Sequence, residues 1–253
     1  MLPAIVFPFH DTDGLMFSHL ETITPQLKKL FAQAFVSISP LTEQAQAKRV
    51  SQLKADEFFK LNFNEPNTIV GDHFLAAYKN AVTHCSPAQI LHLCTIDRVV
   101  FALQTEHKTQ FMADLEAASR EPGPVLFQRS EAAWQTHPRN YRDIEHLAIK
   151  AGEILFNQSL DFVWCHLVIQ AQQLEEILPR IKNHDYIIFP EIVLLLKDQL
   201  KTKDVDWLAW EDPFIFSRDL GQMKEEWENS RSEYRKRLAY TIPILQLLLE
   251  SIQ

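Results

Sequence analysis

Short apolar segments alternate with amphipathic ones at the start of the chain. Residues 4–9 (AIVFPF) form an apolar run that ends in the polar cluster His10–Gly14, which predicts a buried strand opening into a loop. A helix is predicted over 17–31, a second strand over 34–39 and a second helix over 42–53. A βαβα opening is typical of a parallel sheet covered by helices.

The same alternation continues through most of the 253 residues. Further strands are predicted at 90–94, 125–128, 162–169 and 186–189, and further helices at 72–83, 143–155, 170–178 and 191–200. From residue 220 the pattern is helical and charged. We therefore predict a three-layer α/β/α sandwich with a mostly parallel central sheet over 1–219 and a helical C-terminal appendage, packed on it, over 220–253.

Glycine is scarce, with 5 residues in the whole chain against about 7 % in average proteins. Glycine-rich phosphate loops need backbone without a Cβ so that it can approach a pyrophosphate. The composition therefore disfavours a Rossmann dehydrogenase and a P-loop NTPase.

Charge and cysteine usage narrow the function classes further. The net charge of −8 argues against a nucleic-acid partner. The N-terminus lacks the charged region and cleavage site of a signal peptide, and no apolar run is long enough to span a membrane. The cysteines, Cys85, Cys94 and Cys165, are too widely spaced for a zinc knuckle. These features predict a cytoplasmic chain with reduced thiols.

One segment carries a family resemblance. The helix at 71–82 (GDHFLAAYKNAV) feeds the strand and turn at 90–98 (ILHLCTIDR). This resembles the nucleotide-sugar-binding half of GT-A glycosyltransferases, close to family 2, in which a helix with Asn-Ala precedes a hydrophobic strand ending in Asp-x-Asp. Asn80 matches that helix and Asp97 the second aspartate, whereas Thr95 stands at the first. The resemblance extends over roughly residues 3–215.

The resemblance implies transfer of a sugar from a UDP- or GDP-sugar to a hydroxyl acceptor, with Mn²⁺ or Mg²⁺ as cofactor. A departing diphosphate builds negative charge, which a divalent cation on a strand-end carboxylate neutralises. Asp97 is the expected metal ligand. Thr95 offers only a neutral hydroxyl, which holds a cation less tightly than a carboxylate. Asp11 and Asn80 are the expected nucleotide contacts.

A general base is also implied, because in an inverting reaction it takes the proton of the acceptor hydroxyl. The segment FPEIVLLLKDQL puts that position at Glu191, with Asp212 or Glu211 as alternatives. A glutamate after a proline is also an ordinary helix-start residue.

Cations for the diphosphate come from two places. Arg98 follows Asp97 and can pair with phosphate oxygens, or it can form a structural ion pair. Arg235 belongs to the basic run 231–237, which either folds over the diphosphate as a lid or is a solvated helix face. His166, in an apolar strand, is either a core histidine or an acceptor-site group.

Two other function classes compete with the transferase. Asp11-x-Asp13-Gly14 and the later Gly-Asp at Asp72 resemble haloacid-dehalogenase-type Mg²⁺-dependent phosphatases, but Leu15 replaces the usual threonine and Pro8 interrupts the strand. The second alternative is a non-catalytic nucleotide-binding or interaction module that kept the fold. Thr95, at the position of the first aspartate, suggests this alternative.

The last helix has an apolar face formed by Ile242, Leu245, Leu248 and Leu249. This face can dock on the domain, on a second subunit or on a membrane surface. Docking on the domain is the default expectation.

Overall fold

A single sheet organises the molecule. The computed structural model describes residues 1–163 and 166–252, and within them seven strands follow the spatial order β3-β2-β1-β4-β6-β5-β7. The strands are β1 (Ala4–Phe9), β2 (Ala34–Ile38), β3 (Phe59–Phe63), β4 (Ile90–Leu93), β5 (Val125–Arg129), β6 (His166–Gln170) and β7 (Lys201–Val205).

Helices cover both faces of the sheet. They are α1 (Leu15–Leu30), α2 (Pro40–Ala45), α3 (Ala47–Ala55), α4 (Val70–His84), α5 (Ile96–Gln104), α6 (Lys108–Ala118), α7 (Glu131–Thr136), α8 (Arg139–Phe156), α9 (Ala171–Ile177), α10 (Ile188–Leu196), α11 (Asp212–Ile215), α12 (Leu220–Glu228) and α13 (Arg231–Glu250). Single 3₁₀ turns occur at Leu178–Arg180 and Asp206–Leu208.

The sheet is mostly parallel and its two faces bury separate cores. Strands β1 to β4 pair in parallel, as do β5 and β7, while β6 runs antiparallel to both of its neighbours. Because side chains alternate along a strand, Ile5 and Phe7 of β1 enter one core, and Ala4 and Val6 enter the other. The predicted three-layer α/β/α architecture is confirmed.

The switch in strand order determines where a crevice forms. From β1 the chain builds β2 and β3 on one side, and then returns to place β4 on the other side. In open α/β sheets such a switch leaves a crevice outside the carboxyl ends of the two central strands. The loops after β1 and β4, which begin at His10 and Cys94, border this crevice.

Several local predictions need correction. The strand predicted at 186–189 is wrong, since these residues form a turn and the start of α10, where the apolar run is buried as a helix. Strands β3 and β7 were not predicted, because their sequences, FKLNF and KTKDV, carry the polar side chains of sheet edges. Within the strand predicted at 162–169, β6 covers the part from His166, while Trp164 and Cys165 lie outside the described residues.

The C-terminal helices lie against the rest of the protein. Helix α13 packs on α8 and α10, and buries Ile244 and Leu248, whereas Ile242 and Leu249 are about half exposed. One part of the apolar face thus docks on the domain. Among the described residues, none of the helices has the length and apolarity needed to cross a membrane.

Gly71 allows a loop to lie directly on α4. A Cβ at this position would stand 2.4 Å from the carbonyl carbon of His184, which is shorter than any real packing contact. The loop over residues 182–187 can therefore approach this helix only where the side chain is absent.

We predict that Gly71→Ala lowers the free energy of unfolding by about 1–3 kcal/mol, since the loop backbone must move away. Urea denaturation measures the change. Gly123→Ala is the control, because a Cβ there meets its nearest atom at 3.4 Å, an ordinary contact. Equal stability of the two variants would contradict this packing.

Candidate active site

A cleft of about 470 Å³ opens at the carboxyl ends of β1 and β4. Four carboxylates line it, those of Asp11, Asp13, Asp97 and Asp212, together with the hydroxyl-bearing Thr95. No lysine or arginine among the described residues lines this cleft. The wall of this cleft is therefore acidic, and it suits a cation better than a free anion.

Asp11 organises the loop that leaves β1. Its Oδ1 accepts the N–H of Gly14 at 3.0 Å and its Oδ2 accepts the N–H of Phe17 at 2.7 Å, while its own N–H donates to Thr42 Oγ1. Burial raises the pKa of the Asp11 carboxyl. These bonds fix the start of α1 and leave Asp11 at the edge of the cleft.

Asp97 stands in the first turn of α5, four residues after β4 ends. Its Oδ1 accepts the N–H of Arg98 at 2.8 Å, and the residue is half-buried. The sequence predicted a turn at this point, whereas the structure has a helix that begins at Ile96. The carboxylate nevertheless faces the cleft.

Thr95 occupies the position where the resemblance expects a first aspartate. Its Oγ1 lies 3.2 Å from His166 Nε2. Burial lowers the pKa of His166 well below its ordinary value, and so the ring is neutral. His166 is fully buried and holds the threonine hydroxyl in place.

Asp212 reaches the same cleft from the other half of the sheet. It begins α11, and its Oδ2 accepts the indole N–H of Trp210 at 2.8 Å. Burial raises the pKa of Asp212, the Asp97 charge raises it further, and Arg98 opposes both. A carboxylate with a raised pKa in a cleft is a candidate acid or base.

Arg98 has a different role from the predicted phosphate contact. Its guanidinium is buried, forms an ion pair with Glu211, and donates to the carbonyl oxygens of Leu208 and Ala209. The pair joins the residue after Asp97 to the residue before Asp212. The sequence left two roles open for Arg98, a phosphate contact and a structural ion pair. The observed contacts are those of the structural ion pair.

Three other predicted site residues are engaged elsewhere. The carboxylate of Glu191 accepts the N–H groups of Lys182 and Asn183 at 2.9–3.1 Å, so it holds the 182–187 loop. Asn80 donates to the carbonyl of Lys60 in β3, and Arg235 is exposed on α13. None of these three side chains lines the cleft, and their roles in the reaction stay predictions.

Sequence reasoning missed Tyr186 and His10, which also line the cleft. Tyr186 is carried by the loop that Glu191 holds, and its ring packs against Tyr240 at 4.8 Å between centroids. His10 Nδ1 is 2.8 Å from Ser39 Oγ. His10 could have been found from its place at the end of a strand, whereas Tyr186 lies in a segment predicted as a strand.

The phosphatase alternative does not fit these contacts. Asp11 lines the cleft, whereas Asp72 pairs with His184 at 2.6 Å on the surface and does not line it. An attacking carboxylate and a nearby magnesium ligand are therefore not assembled from these residues.

Comparison with known proteins agrees with the architecture. No family model and no curated protein matches the sequence. Several solved structures of glucosyl-3-phosphoglycerate synthase from Mycobacterium tuberculosis are similar at 10 % identity. The complex with Mn²⁺, UDP and phosphoglyceric acid has a TM-score of 0.53 and covers 96 % of this chain and 78 % of that one.

Two further complexes of the same synthase give similar values. The complex with phosphoglyceric acid alone has a TM-score of 0.54 (97 % and 80 % covered), and the complex with Mg²⁺ and UDP has 0.51 (97 % and 79 %). These neighbours are GT-A glycosyltransferases, and the fold of this chain is the GT-A fold.

We predict that Arg98→Met lowers the free energy of unfolding by about 3–5 kcal/mol, because it leaves the Glu211 carboxylate buried without its partner. Replacing both residues by methionine recovers most of that loss, since no uncompensated charge remains. Urea denaturation of the single and double variants checks this. A double variant no more stable than Arg98→Met would contradict the pairing.

Proposed function

We propose that this chain is a glycosyltransferase that moves a sugar from a nucleoside diphosphate sugar to a hydroxyl acceptor. The observation that carries the proposal is the cleft of a GT-A fold in which Asp97 and Asp212 lie together at the switch in strand order. Similar structures hold UDP, UDP-glucose and Mn²⁺ or Mg²⁺, which supports UDP as the nucleotide to test first.

A divalent cation fits the donor set only together with the nucleotide. The described residues contain no group of three His, Cys, Asp or Glu side chains that could hold a metal on their own. Mg²⁺ is commonly bound by one or two carboxylates, with substrate phosphates and water completing its shell. Asp97 would hold Mn²⁺ or Mg²⁺ here, and the metal would neutralise charge on the diphosphate.

Asp212 is the proposed base in place of Glu191. Its carboxylate takes the proton of the acceptor hydroxyl as that oxygen forms a bond to the anomeric carbon. The bond between the anomeric carbon and the phosphate oxygen breaks, and the nucleoside diphosphate leaves with that electron pair. Burial raises the pKa of Asp212, which makes the carboxylate a stronger base.

The first prediction concerns ligand-linked stability. UDP at 100 times its dissociation constant, added to the protein in the presence of Mn²⁺, stabilises the fold by about 2.7 kcal/mol, measured as a rise in Tm. Asp97→Asn removes the part of this rise that depends on Mn²⁺. The control is Asp198→Asn, which removes a carboxylate that is 84 % exposed. Absence of any shift with nucleoside diphosphates would contradict the proposal.

The second prediction concerns Asp212. Asp212→Asn keeps the UDP-dependent rise in Tm but lowers kcat by about 10²–10⁴-fold, measured as UDP released from UDP-glucose with water as acceptor. In the wild type, kcat/KM falls as pH falls through the raised pKa of Asp212, because the base must be ionised. This acidic limb lies above the ordinary aspartate pKa of 3.8.

The non-catalytic alternative rests on Thr95, whose hydroxyl is engaged by His166 and whose neutral oxygen replaces a carboxylate ligand. It predicts a UDP-dependent rise in Tm with no UDP release by the wild type. The two measurements above therefore separate a transferase from a nucleotide-binding module.

A further inference from the structure

A second cavity, of about 240 Å³, adjoins the cleft. The two share Phe74, Thr95 and Tyr186 in their walls. Its volume lies below the range of about 300–1,000 Å³ that is typical of drug-sized ligands. A molecule bound in this cavity would therefore be small, and one end of it would face the cleft.

The walls of this cavity are largely aromatic. Phe74 and Phe189 meet edge to face at 4.6 Å between ring centroids, and Tyr186 and Tyr240 do so at 4.8 Å. Ile244 of α13 completes the apolar part. Such walls favour a ring or another apolar body through burial and edge-to-face contact.

Among the described residues, one cation, Arg237, lines the cavity beside these apolar groups. Its Nη1 donates to Glu145 at 2.9 Å, and its guanidinium carbon lies 3.5 Å from the centre of the Tyr141 ring. Its Nε is buried and has no hydrogen-bond partner among the described residues. A buried donor without a partner costs about 1–3 kcal/mol, so a ligand oxygen that accepts from it is favoured.

The surrounding charges hold Arg237 in place without exhausting its donors. Glu145 also accepts from Arg129 at 2.7 Å, and Arg129 pairs with Asp161 at 2.7 Å. Two arginines therefore share two carboxylates. A guanidinium bonds a ligand carboxylate more strongly than a neutral oxygen, since both partners carry charge.

We propose that this cavity is the acceptor subsite, and that it takes a small hydroxy acid with an aromatic or compact apolar body. The carboxylate binds Arg237, the apolar body lies between Phe189 and Tyr240, and the hydroxyl points past Thr95 toward the cleft. This inference rests on the proposed function, since it supplies the acceptor for that reaction.

The test compares two probes of the same shape, 4-hydroxybenzoate and 4-hydroxybenzamide, by calorimetry on the full chain with UDP and Mn²⁺ present. We expect the wild type to bind the benzoate at least tenfold more tightly than the amide. Arg237→Gln removes this preference, and Ile244→Trp, which fills the cavity, weakens both probes at least tenfold.

The matched control is Ile242→Trp, the same substitution on the exposed side of α13, which leaves both affinities unchanged. If the Ile244→Trp variant does not unfold cooperatively, the Tyr240→Ala variant is used in its place. Tyr240→Ala is expected to weaken the binding of both probes. Equal binding of the two probes by the wild type, no binding of either, or unaltered binding after the cavity is changed would overturn the proposal.

Failure of the proposed function gives a different result. The Tm of the wild type is measured with UDP and Mn²⁺ but without a probe. Probe binding with no UDP-dependent rise in Tm would overturn the acceptor role of the cavity together with the transferase. A UDP-dependent rise without probe binding would overturn the acceptor subsite alone.

Discussion

The buried ion pair between Arg98 and Glu211 joins the two halves of the site. Arg98 follows Asp97 at the start of α5, and Glu211 precedes Asp212 at the start of α11. The two helices follow strands that lie in different parts of the sheet. Because the pair is almost fully buried, loss of either partner lowers the stability of the fold. The pair therefore holds the carboxylates of Asp97 and Asp212 in a fixed relation.

The chemistry of the cleft follows from its charge. Its walls carry four aspartates and no lysine or arginine from the described residues, so under the proposed function a diphosphate would bind there together with a divalent cation. Few glycines are needed in such a site. In the proposed function, carboxylate and metal supply the charge neutralisation that backbone N–H groups of glycine-rich loops perform in other nucleotide folds.

The sequence predicted the sheet, because buried strands such as 4–9 and 34–38 are continuous apolar runs. It also predicted Asp97 from its resemblance to a family motif, and it named Asp212 as an alternative base to Glu191. It did not predict β7, whose KTKDV pattern is that of a solvated edge. Nor could it separate Glu191 from Asp212 as the base, since both are acidic residues in the first turn of a helix. Only tertiary contacts show that Glu191 holds a loop and that Arg98 meets Glu211.

The most direct measurement of the central claim is a crystal structure of the protein soaked with UDP and Mn²⁺. The proposed function predicts density for the diphosphate in the cleft between β1 and β4, with the cation within ligand distance of the Asp97 carboxylate. A nucleotide bound at another surface, or a metal held away from Asp97, would contradict it.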